Sequence, residues 1–396
     1  MNKNAALNAA HSGASRSSLG FEAFIIVRSK KDDDALVRLQ SDPLLSGLRG
    51  VDGLQVTLHV PNATTRLVVD RPSCLIFHYN DVAAVQTIRL MQRRSEDPLV
   101  VCLGSDIYTY SRYTDLHDIV DLYMMPTEIH RKVLANGVYK PVYVLPECID
   151  PITLEAGDEH PQVFPRKTGK RALWFGYSES FSKSMASLTP VILKNVADRC
   201  IDDFVVIVDQ EGFYAANGNQ LKVPTIPYDN ATFRLHAKKF DYAILSHFSL
   251  DLKLNSHIKS PNKVITALLA GLIPIVSDTP NYREIFERHG LQKFLFSSAE
   301  ELDRILKALD PVADSKFVQN SGVILSLLRA GSTTTVVSAF FHIIEQYRRS
   351  SNIEISQLPV VSYIEAPKPI GLREHLSDLL PSAIRACMSR LRRLWR

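Results

Sequence analysis

Short apolar runs alternate with helical patterns along most of the chain, and this alternation limits the fold more than any other feature. Each run is typical of a strand that is buried on both faces, whereas the segments between the runs repeat apolar residues at helical spacing. Parallel strands need such crossovers, because each strand must return to the same edge of the sheet. The predicted fold class is therefore α/β, with wound parallel sheets.

The alternation is interrupted by Pro-rich and polar segments, which predict the domain boundaries. Residues 151–170 are predicted to link an N-terminal Rossmann-like domain at 21–150 to a C-terminal one at 171–350. A length of 396 residues also favours two cores over one. Residues 1–20 are small and polar and predict a disordered tail, and residues 351–396 predict a linker followed by a basic amphipathic helix. Two wound sheets joined in this way leave a cleft between their carboxyl edges, where ligands bind.

The most informative stretch is KSPNKVITALLAGLIPIVSD, at residues 259–278. It predicts a helix that begins with Ser260 as the N-cap and Pro261 at the first helical position. Gly271 suits the left-handed residue just past the helix end, and the apolar run after it predicts a buried strand. The stretch therefore has the form of a helix followed by a central strand of a parallel sheet.

Lys259 and Lys263 flank the start of this predicted helix. Its free amides and its dipole make that end positive, so cations beside it are unfavourable. An anion bound between the lysines would resolve the conflict, and the phosphates of a nucleotide diphosphate would suit such a position. The alternative is that both lysines are solvated surface residues.

Two predicted strands in the second half end in further candidates. Gly176 ends RALWFG, and a glycine there would let a phosphate or a sugar approach the backbone. Ser178 could donate hydrogen bonds to it and Lys183 could reach a phosphate, although an ordinary strand-to-helix loop explains the same residues. His247 follows DYAILS and could touch a sugar or simply fill its loop.

Two predicted strands in the first half also end in polar residues at the edge that would face the cleft. His78 lies at the end of CLIFHYND, and Asp106 ends VVCLGSD. Either side chain could orient or deprotonate an acceptor hydroxyl, so both are candidate catalytic residues. The alternative for each is a purely structural role.

The motifs RALWFGYSES, DYAILS and KSPNKVITALLAGLIPIVSDTPNYREI together resemble the C-terminal half of GT-B glycosyltransferases, in particular the retaining enzymes of the "glycosyl transferases group 1" family. The segment DLYMMPTEIHRKVLANGVYKPVYVLPECIDP is similar to the last strand and helix of that family's N-terminal domain and to its crossing into the linker. The resemblance covers roughly residues 70–300. It implies two Rossmann-like domains that face each other across a cleft.

The resemblance also implies that the second domain binds a nucleotide diphosphate sugar, that the first binds the acceptor, and that no metal or other cofactor takes part. The implied donor-binding residues of the lysine-rich turn are Lys259, Ser260, Asn262 and Lys263. Thr266 lies one helical turn later and could face the ribose or be a buried hydroxyl bonded to the helix backbone.

The sequence departs from the family pattern at two places. Better-known members carry a pair of glutamates, and this chain has Thr266 at the second position and Ile258 eight residues earlier. The family ending written NGxD is ECID here, with Glu147 and Cys148 in place of Asn and Gly. The missing glutamate pair leaves open a GT-B module that binds nucleotide or glycan without catalysis.

Other functional classes are not favoured by the sequence. It shows no clear DxD pair or His/Cys cluster with ligand spacing, and the aspartates at 32–34 predict the first turn of a helix rather than a metal site. A net charge of +4 is too small to indicate nucleic-acid binding. The chain has no GxSxG elbow, Walker loop or dehydrogenase-type GxGxxG. Five scattered cysteines indicate a reducing compartment.

The last segment, GLREHLSDLLPSAIRACMSRLRRLWR, predicts a basic amphipathic helix, which could lie on an anionic membrane surface or pack back on the body. The whole pattern predicts a cytoplasmic bacterial glycosyltransferase, peripheral on the inner membrane face if the helix binds lipid. It would transfer a sugar to a hydroxyl of a glycan or lipid-linked acceptor in surface polysaccharide or glycolipid synthesis. A non-catalytic module and a sugar-nucleotide epimerase of the same architecture are the alternatives.

Overall fold

A computed structural model describes most of residues 21–351. The segments within that range that it does not describe are 30–34, 63–65, 70, 94–97, 108–109, 151–163, 166, 210–222, 231 and 248–257. The predicted tail at 1–20, most of the predicted linker at 151–170, the aspartates at 32–34 and the basic C-terminal helix therefore lie outside the described residues.

The first sheet has six strands, all parallel, in the order β2-β1-β4-β6-β7-β8. Two further strands of the same part of the chain, β3 and β5, form a separate two-stranded parallel sheet. The strands are β1 (Ala23–Val27), β2 (Gln55–His59), β3 (Val68–Val69), β4 (Ser73–His78), β5 (Gln92–Arg93), β6 (Leu99–Leu103), β7 (Leu122–Met125) and β8 (Val142–Val144).

The second sheet repeats this architecture with six parallel strands in the order β11-β10-β9-β12-β13-β14. Its strands are β9 (Arg171–Gly176), β10 (Asp203–Val208), β11 (Thr225–Pro227), β12 (Tyr242–Leu245), β13 (Ile273–Ser277) and β14 (Leu295–Phe296). The prediction of two wound parallel sheets, each in a Rossmann-like domain, is confirmed. The exact domain boundaries stay predictions.

Helices connect the strands as the alternation predicts. A π-helical turn at Val37–Ser41 leads into α1 (Asp42–Arg49). The first half continues with α2 (Val82–Arg89), α3 (Ser111–Thr114) and α4 (Glu128–Ala135). The second half has α5 (Ser178–Met185), α6 (Thr189–Ala197), α7 (Phe233–Ala237), α8 (Asn262–Leu269), α9 (Pro280–Arg288), α10 (Ala299–Lys307), α11 (Pro311–Asn320), α12 (Val323–Ala330) and α13 (Thr333–Ser351).

The side chains of alternate strand residues pack in two separate cores, one on each face of the first sheet. Phe24 and Ile26 point into one core, and Val27 and Phe77 belong to the core on the other face. The period of two follows from the pleat of a strand. Burying both faces fixes the register of the strands, so the polar residues that follow them are held at one edge.

The last described helix, α13, packs in the core that contains Phe24, which is called the first core below. Phe340 is fully buried there, with its ring 6.1 Å from that of Phe24, and Val336 and Ile344 join the same cluster. Residues up to 350 were predicted to belong to the second domain, because nothing in the local sequence pattern tells which sheet a helix covers.

No single helix within the described residues is long and apolar enough to cross a membrane, whereas α12 and α13 together, bent by 51° at their break, reach that length and composition. Both helices bury apolar side chains in protein cores. Val323 lies in the core of the second domain, and Phe340 lies in the first-domain core that contains Phe24.

We expect Phe340→Ala to lower the free energy of unfolding by about 3–5 kcal/mol, because it opens a cavity in the first core. His342→Ala, on the exposed face of the same helix, is the matched control and should change it by less than about 0.5 kcal/mol. Urea unfolding followed by circular dichroism measures both. Equal effects of the two substitutions would show that α13 does not stabilise the first core.

Candidate functional site

The carboxyl edges of both sheets carry the polar residues of the candidate site. In the second sheet the strand order reverses between β9 and β12, since β10 and β11 lie on one side of β9 and β12 to β14 on the other. A crevice forms at such a reversal, outside the carboxyl ends of the strands. Gly176 at the end of β9 and His247 just after β12 lie at this point.

The lysine-rich turn precedes α8, as predicted, but Ser260 does not cap the helix. Pro261 is the N-cap residue, and no side chain caps the first turn. The Ser260 hydroxyl is instead hydrogen-bonded to the Glu147 carboxyl group of the first domain. The cap prediction is wrong because a tertiary partner takes the hydroxyl. Within the described part of the chain, no capping side chain thus accepts from the first amides of α8, which leaves them suited to an anion.

Asn281 holds the backbone of this turn. Its side-chain amide donates to the carbonyl oxygens of Ile258 and Lys259, at 3.1 and 2.9 Å. Asn281 is buried in the first turn of α9, which follows β13. Asn281 on α9 therefore positions the turn that precedes α8. It lies in a motif quoted above, but no role was predicted for it.

Lys263 is a partly buried cation beside an aromatic face. Its Nζ lies 4.3 Å from the centroid of the Trp174 ring, and no carboxylate of the described residues pairs with it. Burial, together with the nearby charge of Lys259, lowers the pKa of Lys263 to about 7. A cation–π contact stabilises the charged form only in part. An anion that bound here would raise the pKa of Lys263 again, and the protonated lysine would attract the anion.

Gly176 provides the space that Lys263 occupies. Its φ is +142°, and a Cβ atom there would lie 2.5 Å from Nζ of Lys263 and 2.9 Å from the Trp174 ring. Any other residue would be strained and would displace the lysine. The glycine was predicted as a place where a ligand approaches the backbone, and the structure brings it into contact range of the lysine-rich turn.

Ser178 and Lys183 lie on α5, immediately after Gly176, and differ in their placement. The Ser178 amide donates to Asp209 at the end of β10, at 2.8 Å, so the start of α5 is held at the sheet edge. The Lys183 side chain is exposed and paired with Glu179 on the same helix. The structure therefore does not bring Lys183 together with Lys259 and Lys263.

His247, Asn262 and Thr266 surround the turn within the second domain. The His247 amide donates to the Ser277 hydroxyl at 2.9 Å, and its Nε2 shares a hydrogen bond with the Tyr282 hydroxyl. Burial lowers the pKa of His247, and the charges of Lys263 and Lys259 lower it further. Asn262 is the first residue of α8, and Thr266 is buried one turn later.

The first domain contributes Asp106, which pairs with the second domain. Lys259 Nζ lies 2.8 Å from Asp106 Oδ2, and both side chains are partly exposed. Asp106 follows β6, as predicted, and its backbone carbonyl accepts a hydrogen bond from the buried Tyr113 hydroxyl at 2.9 Å. The two domains therefore meet through one predicted catalytic residue and one predicted donor-binding residue.

His78 is buried at the end of β4, and its Nδ1 lies 2.7 Å from Asn80 Oδ1. It stands at the strand reversal of the first sheet, between β1 and β4. Asp81 ties this reversal together, because its carboxylate accepts from the Ser29 amide and caps α2 through the Ala84 amide. His78 ends β4 and Asp106 follows β6, so the two candidate catalytic residues lie on neighbouring strands of one sheet edge.

Glu147 is the main site residue that the sequence analysis did not assign. Its carboxyl group accepts a hydrogen bond from the Ser260 hydroxyl and lies 3.4 Å from the Gln40 side-chain nitrogen. The same nitrogen donates to the Gly104 carbonyl at 3.1 Å. Burial raises the pKa of Glu147 to about 7, the neighbouring Asp106 adds to the rise, and the hydrogen bond from Ser260 opposes it. The only sequence signal was the departure from the family ending, where Glu147 replaces an asparagine.

His130 completes the polar cluster. It is fully buried near the start of α4, its Nδ1 bonds the Thr127 hydroxyl at 2.8 Å, and its Nε2 has no hydrogen-bond partner among the described residues. Burial lowers the pKa of His130 to about 4; the charge of Asp106 raises it and that of Lys259 lowers it. A neutral imidazole therefore lies within electrostatic range of the interdomain ion pair.

The arrangement can bind an anion on one side and a hydroxyl group on the other. The second domain offers Lys259, Lys263 and the amides of α8, and the first domain offers the carboxyl groups of Asp106 and Glu147. Among the described residues no group of three or more His, Cys, Asp or Glu side chains could hold a metal ion. Basic side chains and helix amides can stabilise negative charge that develops beside them.

No protein-family model and no curated protein matches this sequence. Solved structures do match its fold. An α,α-trehalose-phosphate synthase (UDP-forming) from Burkholderia vietnamiensis aligns with 84% of this chain and 99% of its own, at 8% identity and a TM-score of 0.55. The E. coli trehalose-6-phosphate protein bound with UDP-2-fluoro glucose aligns with 82% of this chain and 99% of its own, at 10% identity and a TM-score of 0.55. The chain therefore has the GT-B glycosyltransferase fold, as the resemblance implied.

The raised pKa of Glu147 predicts a pH-dependent contribution to stability. Because the folded-state pKa of about 7 exceeds the ordinary 4.5, the protonated carboxyl stabilises the fold below pH 4.5, and this contribution is lost as the pH rises through about 7. We expect the free energy of unfolding of the wild type, relative to Glu147→Gln, to fall by roughly 1–2 kcal/mol across that window.

Urea unfolding at a series of pH values measures this difference. Ser260→Ala is the matched control, because it keeps the carboxyl group and removes a hydrogen bond that lowers its pKa, so the transition should move to higher pH. A difference between wild type and Glu147→Gln that stays constant with pH would contradict the assignment.

Proposed function

We propose that this protein is a glycosyltransferase that transfers a sugar from a nucleotide diphosphate sugar to a hydroxyl acceptor. The second domain would bind the donor, the first would bind the acceptor, and the reaction would take place between the two carboxyl edges. The fold is one on which such enzymes are built, and the E. coli structure of the same fold contains UDP-2-fluoro glucose.

One observation carries the proposal. Lys263 is a partly buried cation that has no carboxylate partner among the described residues, at the uncapped start of α8 and beside a second lysine. Two cations and free helix amides around one point suit a diphosphate far better than a neutral ligand. In the reaction these groups would stabilise the charge that develops on the leaving nucleoside diphosphate.

Two finer features of the reaction are part of the proposal. Basic side chains and amides replace a metal ion as the stabilisers of the leaving group, so the enzyme is metal-independent. The resemblance to the retaining family favours retention of the anomeric configuration. In that case no carboxylate nucleophile is required, and the leaving phosphate helps to deprotonate the acceptor.

The acceptor is proposed to be a glycan or a lipid-linked sugar of a bacterial surface polysaccharide or glycolipid, modified on the cytoplasmic side of the membrane. The feature that motivates a peripheral membrane location is the basic amphipathic segment near the C-terminus, with five arginines at 385–396, which lies outside the described residues. Nucleic acid is not a proposed partner.

A sugar-nucleotide epimerase is the second candidate, and one observation favours it. An epimerase needs carboxylates and a histidine close to the sugar. Asp106 and Glu147 contact Lys259 and Ser260 of the lysine-rich turn, and His130 lies within electrostatic range of Asp106 and Lys259. The non-catalytic module remains a third candidate, on the missing glutamate pair. Product analysis with donor alone separates epimerase from transferase, and release of nucleoside diphosphate only with acceptor separates transferase from module.

The donor site is tested by thermal unfolding of the purified protein with UDP, GDP, CDP, ADP and TDP. A ligand that binds only the folded state raises the melting temperature by mass action, by about 3 °C or more at a concentration about 100 times its Kd. We expect one of the diphosphates to do so, to be insensitive to EDTA, and to lose its effect in Lys263→Ala.

Lys307→Ala is the matched control, because Lys307 is an exposed lysine paired with Asp303 on α10. This variant should keep the full ligand effect. If none of the five diphosphates raises the melting temperature of the wild type, the donor site is rejected and the non-catalytic module becomes the leading function. Loss of the effect with EDTA would reject metal independence alone.

A further inference from the structure

A carboxylate of the first domain pairs with the lysine-rich turn of the second. Asp106 Oδ2 lies 2.8 Å from Lys259 Nζ, so the lysine that should contact a donor phosphate already has an anionic partner. Glu147 approaches the next residue of the same turn through the Ser260 hydroxyl. Two carboxyl groups of the first domain therefore lie where a diphosphate would bring its own negative charge.

The Asp106 side chain can leave this position while its backbone stays in place. The backbone carbonyl of Asp106 accepts the hydroxyl of Tyr113, which is fully buried and stacks on Tyr79 at 4.6 Å between ring centroids. The turn that contains Lys259 is held separately by Asn281. Rotation of one carboxylate is thus enough to separate Asp106 from Lys259 without unfolding either element.

A diphosphate and Asp106 cannot both be the close partner of Lys259. The diphosphate carries more negative charge than one carboxylate and has several oxygens, so it could contact Lys259, Lys263 and the first amides of α8 together. In addition, a phosphate next to Asp106 and Glu147 would repel both carboxylates. Donor binding therefore favours the state in which Asp106 has turned away from the lysine.

We propose that the donor diphosphate replaces Asp106 on Lys259, and that the released carboxylate then accepts a hydrogen bond from the acceptor hydroxyl. This inference rests on the proposed function and gives it an order, donor first and acceptor second. Asp106 remains at the carboxyl edge of the first sheet after the exchange, within a side-chain length of the phosphate on Lys259. An acceptor hydroxyl held by Asp106 would thus lie next to the reacting sugar only when the donor is present.

The exchange has a measurable cost for the donor. A ligand that binds only one of two states has its apparent affinity reduced by the fraction of protein in that state. If the ion pair between Asp106 and Lys259 is the competing state, removal of the carboxylate charge must make the anion bind more tightly. A carboxylate that merely stabilised the site would have the opposite effect when removed.

We expect Asp106→Asn to bind inorganic pyrophosphate, and the nucleoside diphosphate that stabilises the wild type, about three- to tenfold more tightly than the wild type does. Isothermal titration calorimetry on the full chain measures both. Lys259→Ala should weaken binding, and adding Asp106→Asn to Lys259→Ala should bring no further gain, because the competition acts only through Lys259.

The matched control is Asp150→Asn. Asp150 pairs with Arg38 at 3.0 Å and, like Asp106, is a carboxylate of the first half of the chain in an ion pair. This ion pair does not include a residue of the lysine-rich turn, so the variant should not tighten anion binding. Equal tightening by both substitutions would indicate a general loss of negative charge and would overturn the exchange.

The acceptor role gives a second readout in the opposite direction. With a donor and acceptor that the wild type uses, Asp106→Asn should lower kcat at least about tenfold while the Kd of the donor improves. Unchanged or weaker pyrophosphate binding by Asp106→Asn overturns the exchange, whether or not a nucleoside diphosphate binds. Tighter pyrophosphate binding together with no effect of any nucleoside diphosphate would support the exchange at Lys259 and reject the donor class instead.

Discussion

Two ammonium groups beside the positive end of a helix repel that end and each other, and most of the candidate site follows from how the protein compensates for this repulsion. Lys259 is neutralised by a carboxylate of the other domain. Lys263 is held over an indole ring and is protonated less readily than an ordinary lysine. Gly176 leaves the space for it, because a larger residue would collide with the ammonium group.

The same repulsion explains the carboxyl groups on the opposite side. Glu147 is costly to ionise because it is buried, and the charge of Asp106 makes ionisation harder still. The charge of Lys259 in the second domain offsets part of this cost. Charges on each domain therefore stabilise charges on the other, and a ligand that changes one partner changes the electrostatic environment of all of them. This coupling suits a site that must handle a highly charged leaving group.

The fold followed from the sequence because strand and helix periods are local properties. The role of Gly271 just after α8 followed for the same reason, since its φ is +79°. The partners of the site residues did not, because they depend on tertiary contacts. Ser260 looked like a helix cap, yet its hydroxyl meets Glu147, 113 positions away in the chain. Lys183 looked like a phosphate ligand, yet it pairs with Glu179 one turn away on its own helix. No role was predicted for Trp174 or His130, and only the fold shows which residues they contact.

The placement of α13 has a consequence for how the chain is made. Ribosomal synthesis releases the first sheet long before the helix that covers part of it, since nearly two hundred residues lie between β8 and α13. Until α13 emerges, the apolar face that contains Phe24 has no complete cover. N-terminal domains usually fold first during synthesis, but the core of this one is complete only when α13 has been made. Its nascent form therefore exposes part of that apolar face while the whole second sheet is synthesised.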